Sequence, residues 1–172
     1  SVSLSSDGSR VAIGAMGNDG NGTSSGHVRI YQYNNNSWSQ LGADIDGEAA
    51  DDASGVSISL SSDGSRVAIG AYRNDGNGSN SGHVRIYDYN TSTQAWEQVG
   101  VDIDGEAAED QSGYSVSLSS DGSRVAIGAG GNDGNGSNSG HVRIYDYNGS
   151  AWVQVGADID GEAAGDYSGL SV

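Results

Sequence analysis

The side chains in this sequence that could bind a metal ion or a charged ligand are carboxylates and amides, and they recur in two short segments. Asp-Ile-Asp-Gly-Glu occurs at 44–48, 102–106 and 158–162, and Asn-Asp-Gly-Asn-Gly occurs at 18–22, 74–78 and 132–136. Closely spaced oxygen ligands suit calcium, which takes about six to eight of them. In an extended chain the two aspartates of the acidic segment point to the same side. The candidate metal ligands are therefore Asp44, Asp46, Asp102, Asp104, Asp158, Asp160, Asp19, Asp75 and Asp133.

Each segment also has an interpretation that needs no ion. The amide-rich segment lacks the bidentate acid of a known calcium loop, so it could simply be a hydrogen-bonded loop. Near the acidic segment, Asp52, Asp110 and Asp166 could cap the turn into the next strand while the other acids are solvated. The sequence therefore requires no cofactor, and calcium is one of two interpretations.

The remaining polar and aromatic groups favour binding over catalysis. A catalytic centre needs an asymmetric set of groups, whereas near-identical repeats supply every group three times. One histidine per repeat favours packing or hydrogen bonding, since distant repeats cannot share one metal. One tryptophan per repeat favours packing, with sugar stacking as the alternative. These residues are His27, His83, His141, Trp38, Trp96 and Trp152. We expect a protein that is not an enzyme.

The two segments lie between copies of a motif that occurs three times. Residues 1–15 and 115–129 are identical, and residues 57–71 differ from them only at Ile58. Leu4, Leu60 and Leu118 mark periods of 56 and 58 residues, since 60 − 4 = 56 and 118 − 60 = 58. The chain thus divides into units 1–56, 57–114 and 115–170, and residues 171–172 begin a further repeat.

Each unit predicts four antiparallel strands and an all-β fold. In the third unit, strands 115–119 and 124–129 flank Asp121-Gly122, a dipeptide that supplies the positive φ of a tight hairpin. Strands 141–147 and 151–155 follow, and 156–169 is predicted to be a connecting loop. Both faces of the first two strands are apolar or small, so another layer must approach each face closely. This pattern predicts β-propeller blades, with a β-solenoid as the alternative.

The charge of the chain argues against two classes of partner. The net charge is −16, and all seven basic residues are arginines. Such a surface repels nucleic acid and anionic membranes, and it attracts cationic partners. No apolar run approaches the roughly 20 residues of a membrane helix, so we predict no membrane insertion. The absence of cysteine excludes disulfides and cysteine-ligated metals.

Four stretches of the third unit together resemble the FG-GAP repeat of integrin α-subunit head domains. They are Gly-Tyr-Ser-Val-Ser at 113–117, Asp-Gly at 121–122, Val-Ala-Ile-Gly-Ala at 125–129 and Gly-His-Val-Arg-Ile-Tyr at 140–145. The resemblance covers essentially the whole chain in three copies. It implies propeller blades that serve adhesion or ligand recognition rather than catalysis, and an extracellular or cell-surface location.

The sequence departs from that family pattern in two places. It contains no phenylalanine, so the Phe-Gly pair of the family is missing. Many family members carry a calcium loop between the first two strands of a blade. Here that turn is Ser-Ser-Asp-Gly-Ser with one carboxylate, which is Asp7, Asp63 or Asp121. One carboxylate cannot supply the ligands of calcium, so the resemblance implies no calcium site at this turn.

Three blades leave two terminal faces to be covered, because propellers close with about four or more blades. If each face buries roughly 500 Å² of apolar area, burial contributes about 12 kcal/mol. Association costs about 4–15 kcal/mol. We therefore predict a homo-oligomer of two or three chains packed head to tail, or part of a longer propeller. A protein or glycan is the predicted ligand, and a structural or consensus repeat protein without a ligand is the alternative.

Overall fold

The chain forms three antiparallel sheets in sequence order, and the computed structural model describes all 172 residues. The first sheet contains β1 (Val2–Leu4), β2 (Arg10–Ala15), β3 (His27–Asn34), β4 (Ser37–Gln40) and β5 (Ile45–Asp46). The second contains β6 (Ser57–Leu60), β7 (Arg66–Ala71), β8 (His83–Asn90), β9 (Ala95–Gln98) and β10 (Ile103–Asp104). The third contains β11 (Ser115–Leu118), β12 (Arg124–Ala129), β13 (His141–Tyr147), β14 (Trp152–Gln154) and β15 (Ile159–Asp160). We call these sheets the first, second and third blades.

The fourth position of each blade is divided between two short strands, which corrects one prediction. The sequence predicts only a connecting loop over residues 156–169. Instead β15 pairs with the start of β13 through His141↔Asp160 and Val142↔Ile159, while β14 pairs with the end of the same strand. The backbone turns between them at Gly156, whose φ of 76° favours glycine. Each acidic segment is therefore held beside a histidine.

The Asp-Gly dipeptides form the predicted hairpin turns between the first two strands of each blade. Gly122 has a φ of 70°. Asp121 Oδ1 accepts hydrogen bonds from Ser119 Oγ at 2.6 Å and from the Ser123 amide at 3.0 Å. These bonds lower the pKa of Asp121 to about 2. The carboxylate therefore stabilises the turn by accepting hydrogen bonds within it.

The two hydrophobic cores lie between blades. In the first core, Val28 and Ile30 of β3 pack with Ile58, Leu60 and Ile69 of the second blade. The second core repeats this arrangement between the second and third blades. The small residues of β7 permit close contact, since a Cβ atom on Gly70 would overlap the carbonyl oxygen of Gly113. The predicted close approach of another layer to both faces is confirmed for the second blade.

Two of the three tryptophans join neighbouring blades, as their packing role predicted. Trp96 Nε1 donates a hydrogen bond to the carbonyl oxygen of Leu41 at 2.8 Å. Trp152 Nε1 donates to the carbonyl oxygen of Val99 at 2.9 Å. Trp38 lies on the outer face of the first blade and is half exposed.

The terminal faces of the chain expose apolar residues that are buried elsewhere in the repeat. Leu4 is 60 % exposed on the first blade, whereas the equivalent Leu60 is 7 % exposed. Ile159 is 57 % exposed on the third blade, whereas the equivalent Ile103 is 7 % exposed. The arrangement is therefore an open row of three blades with two uncovered faces.

The chain has no helix with the length and apolar character needed to cross a membrane.

Candidate functional site

The predicted ligand residues gather where one blade meets the next. The pairing of β10 with β8 places Asp104 opposite His83, and β15 places Asp160 opposite His141 in the same way. The histidine therefore begins the strand that faces the acidic segment of its own blade. Glu48 and Glu106 reach the same place from the preceding blade.

We call this arrangement the junction clamp, which consists of His83, Arg85, Asp102 and Glu48 at the first junction. His83 Nδ1 lies 3.7 Å from Asp102 Oδ2 and 3.9 Å from Glu48 Oε2. One terminal nitrogen of Arg85 lies 3.4 Å from Glu48 Oε1, and the other donates to the carbonyl oxygen of Asp46 at 2.7 Å. The arginine thus crosses from the second blade to the first.

The second junction repeats the clamp with His141, Arg143, Asp158 and Glu106. His141 Nδ1 lies 3.6 Å from Asp158 Oδ2. Arg143 lies 3.3 Å from Glu106 Oε1 and donates to the carbonyl oxygen of Asp104 at 3.0 Å. The two clamps therefore have the same geometry.

Burial disfavours the charged form of the clamp histidines. His83 and His141 are each only 1 % exposed. The pKa of each imidazole is lowered, first by burial and then by the adjacent guanidinium of Arg85 or Arg143, although the nearby carboxylates oppose the shift. The positive charge that balances the acidic groups is therefore carried by arginine. Both ring nitrogens of His141 lack a hydrogen-bond partner.

The first blade holds only half of a clamp, because no blade precedes it in the structure. Arg29 turns instead to Asp44 of its own blade, with Nε 3.0 Å and a terminal nitrogen 2.8 Å from the carboxylate oxygens. Its side chain is 44 % exposed, compared with 8 % for Arg85. His27, Asp44 and Asp46 complete this half clamp.

The amide-rich loops position the glutamates of the clamps. Asn77 Nδ2 donates to the carbonyl oxygens of Gly105 and Glu106 at 2.9 and 3.0 Å. Asn21 and Asn135 make the same pair of bonds in their own blades. The loop is thus an element that fixes the acidic segment.

Three of the candidate metal ligands lie within these loops and accept hydrogen bonds from the loop backbone. Asp19, Asp75 and Asp133 each accept a hydrogen bond from the backbone amide five residues later, at 2.7–2.8 Å. Asp52, Asp110 and Asp166 accept an amide hydrogen bond within the turn that precedes the next blade, as the capping interpretation predicted.

Three clusters bring potential metal ligands together. They are His27, Asp44 and Asp46; Glu48, His83 and Asp102; and Glu106, His141 and Asp158, with the ligand atoms of each cluster within 4.8 Å of one another. Asp104 and Asp160 belong to none of them. Two carboxylates and one imidazole fall short of the oxygen ligands that calcium takes. Calcium at these aspartates stays a prediction.

The arginines of the blades make two kinds of ion pair. Arg66 and Arg124 begin the second strand of their blades and pair with Asp88 and Asp146 across the sheet. The bond between blades from Arg85 to Glu48 was not foreseen. It joins residues 37 positions apart in sequence (85 − 48 = 37), and no local pattern marks such a pair.

The FG-GAP repeat model matches residues 43–87 and 101–145. The two matches together cover more than half of the chain. The chain belongs to the FG-GAP repeat family. Each match begins just before the acidic segment of one blade and ends in the third strand of the next, so it contains the glutamate, the histidine and the arginine of one clamp but not its aspartate.

Solved structures of similar fold are found at low sequence identity. Two are proteins provisionally named 6-phosphogluconolactonase, from Bacteroides fragilis (TM-score 0.64, 13 % identity) and Bacteroides uniformis (TM-score 0.60, 14 % identity). They are matched over 99 % and 92 % of this chain, and the chain spans 40 % and 39 % of their lengths. A hypothetical selenium-binding protein from Sulfolobus tokodaii has a TM-score of 0.54 at 12 % identity, over 95 % of this chain and 44 % of that one. No curated protein matches in sequence. The likeness shows the fold alone.

Proposed function

We propose that this FG-GAP chain is a non-catalytic scaffold for recognition or adhesion that presents one acidic surface in three copies. The observation that carries the proposal is the repetition of the amide-rich loop and the acidic segment at the same end of every blade. Asn21, Asn77 and Asn135 tie the two segments together by equivalent hydrogen bonds. Three fixed copies on one scaffold suit a multivalent ligand, since linked weak contacts raise avidity.

Internal hydrogen bonds fix the conformation of the amide-rich loops without a ligand. Gly76 donates its amide hydrogen to Asn74 Oδ1 at 2.8 Å, and Asn80 donates to Asp75 Oδ1 at 2.8 Å. Equivalent bonds form in the other two loops. A loop held in this way loses less conformational entropy on binding than a mobile one. With a net charge of −16, charge favours a cationic protein surface as the ligand, and a glycan is the alternative.

The polar groups of the junctions favour a structural role over chemistry. Each clamp glutamate lies beside an arginine, and each turn aspartate is bonded to a serine hydroxyl. His141 accepts no hydroxyl proton, because neither of its nitrogens has a hydrogen-bond partner. A nucleophile with an adjacent base, which covalent catalysis needs, is therefore not formed at this histidine.

The test is binding of the whole chain to arrays of glycans and cationic peptides. The variant combines Asp19→Asn, Asp75→Asn and Asp133→Asn, which removes three charges while an oxygen remains to accept the loop hydrogen bond. We expect at least about a tenfold loss of affinity. The matched control combines Asp7→Asn, Asp63→Asn and Asp121→Asn, which removes three charges at the opposite end of the blades and should change binding little.

Equal losses in the two triple variants would show that net charge, rather than the loop surface, determines binding. No binding to any array would overturn the proposal and favour a structural repeat protein without a ligand.

A second candidate, calcium-dependent adhesion, is favoured by the three clusters of ligand atoms, two at the blade junctions and one on the first blade. It predicts a rise of several degrees in melting temperature with millimolar calcium. The rise should disappear when Asp44, Asp102 and Asp158 are changed to asparagine. A melting temperature that calcium leaves unchanged would remove this candidate.

A further inference from the structure

The imidazole of His141 at the second junction is buried without a hydrogen-bond partner. The residue is 1 % exposed, and neither of its ring nitrogens is bonded. Its Nδ1 faces Asp158 Oδ2 at 3.6 Å, which is too long for a hydrogen bond. A buried polar atom without a partner destabilises the folded state. A cation bound at Nδ1 would supply that partner.

Two carboxylates converge on His141 Nδ1, and each has one oxygen that is already held by another side chain. Gln154 Nε2 donates to Asp158 Oδ1 at 2.6 Å, which leaves Oδ2 facing the histidine. A terminal nitrogen of Arg143 lies 3.3 Å from Glu106 Oε1, which leaves the other oxygen of Glu106 free. Outer groups that orient each ligand in this way are typical of metal sites.

The first junction repeats this arrangement around His83. Gln98 Nε2 donates to Asp102 Oδ1 at 2.6 Å, while Asp102 Oδ2 lies 3.7 Å from His83 Nδ1. Arg85 lies 3.4 Å from Glu48 Oε1, while Glu48 Oε2 lies 3.9 Å from His83 Nδ1. Both distances to the imidazole are again too long for hydrogen bonds. The two junctions thus offer the same three ligands with the same outer partners.

The spacing and chemistry of these ligands suit zinc. Tetrahedral zinc makes bonds of about 2.0–2.2 Å to nitrogen and oxygen, so neighbouring ligand atoms lie roughly 3.4 Å apart. The distances from the two imidazoles to the facing carboxylates, 3.6–3.9 Å, are close to that spacing. The glutamates are half exposed, so they can move closer and a water can take the fourth position. Imidazole is a ligand that suits zinc, whereas calcium takes oxygen ligands.

The cluster on the first blade differs from the two junctions in its aspartate. Both carboxylate oxygens of Asp44 accept hydrogen bonds from Arg29, and Oδ1 also accepts one from Gln40. No oxygen of Asp44 is therefore left free beside His27. This cluster should bind zinc more weakly than the junctions do.

We propose that zinc, or another divalent transition metal that favours imidazole, binds at the two junctions between the histidine and aspartate of one blade and the glutamate of the preceding blade. At the second junction the ligands are His141 Nδ1, Asp158 Oδ2 and Glu106. Because the ligands come from two blades, the bound ion stabilises the contact between them. This site does not depend on the ligand recognition proposed above.

The test is a calorimetric titration of zinc chloride into the whole chain, prepared without a histidine tag, together with melting temperatures. We expect two tight sites per chain. Zinc at about a hundredfold excess over its dissociation constant should raise the melting temperature by several degrees. The double variant Glu48→Gln, Glu106→Gln should bind zinc at least about tenfold more weakly and lose that rise. It keeps an oxygen for each arginine, and circular dichroism checks that it folds.

A second double variant, His83→Gln with His141→Gln, removes the nitrogen ligand and should also weaken binding. The matched control is Asp104→Asn with Asp160→Asn, which removes two charges from the same acidic segments outside the clusters of ligand atoms. It should bind zinc as the wild type does.

A wild-type chain that takes up no zinc in the calorimeter would overturn the proposal. Equal losses in the glutamate variant and the aspartate control would also overturn it, because zinc would then bind only to the acidic surface in general. Calcium that raises the melting temperature as much as zinc would overturn it in favour of the calcium candidate above. Binding to the glycan and peptide arrays is measured separately, so failure of the zinc site leaves the proposed recognition function intact.

Discussion

The closed junction between the first two blades and the open face of the first blade are built from the same residue types but differ in their surroundings. Ile69 lies in the junction and is 1 % exposed, whereas the equivalent Ile13 on the open face is 44 % exposed. Arg85 crosses to the preceding blade, whereas Arg29 folds back onto Asp44. The comparison shows that a blade of this chain does not bury its own apolar surface. The contact between blades is the unit that stabilises the fold.

The largest expected difference in the free energy of unfolding is between Ile69→Ala and Ile13→Ala, measured in dilute solution. Removal of a buried isoleucine side chain costs about 2–5 kcal/mol of the free energy of unfolding. The exposed Ile13 should cost less than about 1 kcal/mol. Urea unfolding measures both values.

Ile127→Ala is the matched control for this pair, because Ile127 occupies the same place at the second junction and is also 1 % exposed. Its loss should equal that of Ile69→Ala. If all three variants lost the same free energy in dilute solution, the junction would not be the stabilising unit.

A smaller difference is expected between Arg85→Met and Arg29→Met. The first change leaves Glu48 without its cation and the Asp46 carbonyl oxygen without a donor, which should cost about 1–3 kcal/mol. Arg29 makes a surface ion pair, and such pairs contribute about 0–1 kcal/mol. The free energy of unfolding should therefore separate the two variants, and a loss for Arg29→Met as large as that for Arg85→Met would count against the clamp.

The pH dependence of stability should come from the closed clamps. The folded-state pKa of His83 and His141 lies below the ordinary value of 6.5, so the unfolded chain binds more protons. This contribution is fully present above about pH 6.5 and is lost as the pH falls below it. Urea midpoints between pH 7.5 and 5.5 should fall in the wild type and fall less in the double variant His83→Gln, His141→Gln. An unchanged slope in that variant would assign the dependence to other groups.

The smallest effect is expected at the aspartates of the hairpin turns, whose hydrogen bonds stay within their own turn. The pKa of Asp7 and of Asp121 is lowered to about 2 by hydrogen bonds, first from the Ser9 amide and from the Ser119 hydroxyl respectively. Their contribution is present above about pH 4 and is lost as the pH falls towards 2. Melting temperatures of Asp121→Asn should therefore differ slightly from the wild type at pH 6 and converge with it near pH 2. A gap that persists at pH 2 would point to a cause other than ionisation.

The repeat, the strands and the propeller-like class could be predicted from the sequence because they depend on local patterns. Asp121-Gly122 marks a turn by its own backbone preference, and the alternation of Val116 and Leu118 marks a strand. The short strand β15 was missed because Ile159–Asp160 is held by pairing with β13 rather than by its own propensity.

The clamp could be predicted only in part, for a related reason. The acids and histidines were visible as repeated types, but the partner of Arg85 lies in the preceding blade. Which carboxylate pairs with Arg85 depends on how the two sheets pack. The same limit applies to the predicted metal ligands. The sequence predicts Asp104 and Asp160 together with Asp102 and Asp158, but Asp104 and Asp160 lie outside the clusters of ligand atoms.

Hydrogen exchange of the backbone amides tests most directly whether the contact between blades is the unit that stabilises the fold. It compares β7, where Ile69 is 1 % exposed, with the equivalent strand β2, where Ile13 is 44 % exposed. We predict that the hydrogen-bonded amides of β7 exchange more slowly than the equivalent amides of β2. Equal exchange rates in the two strands would contradict the claim.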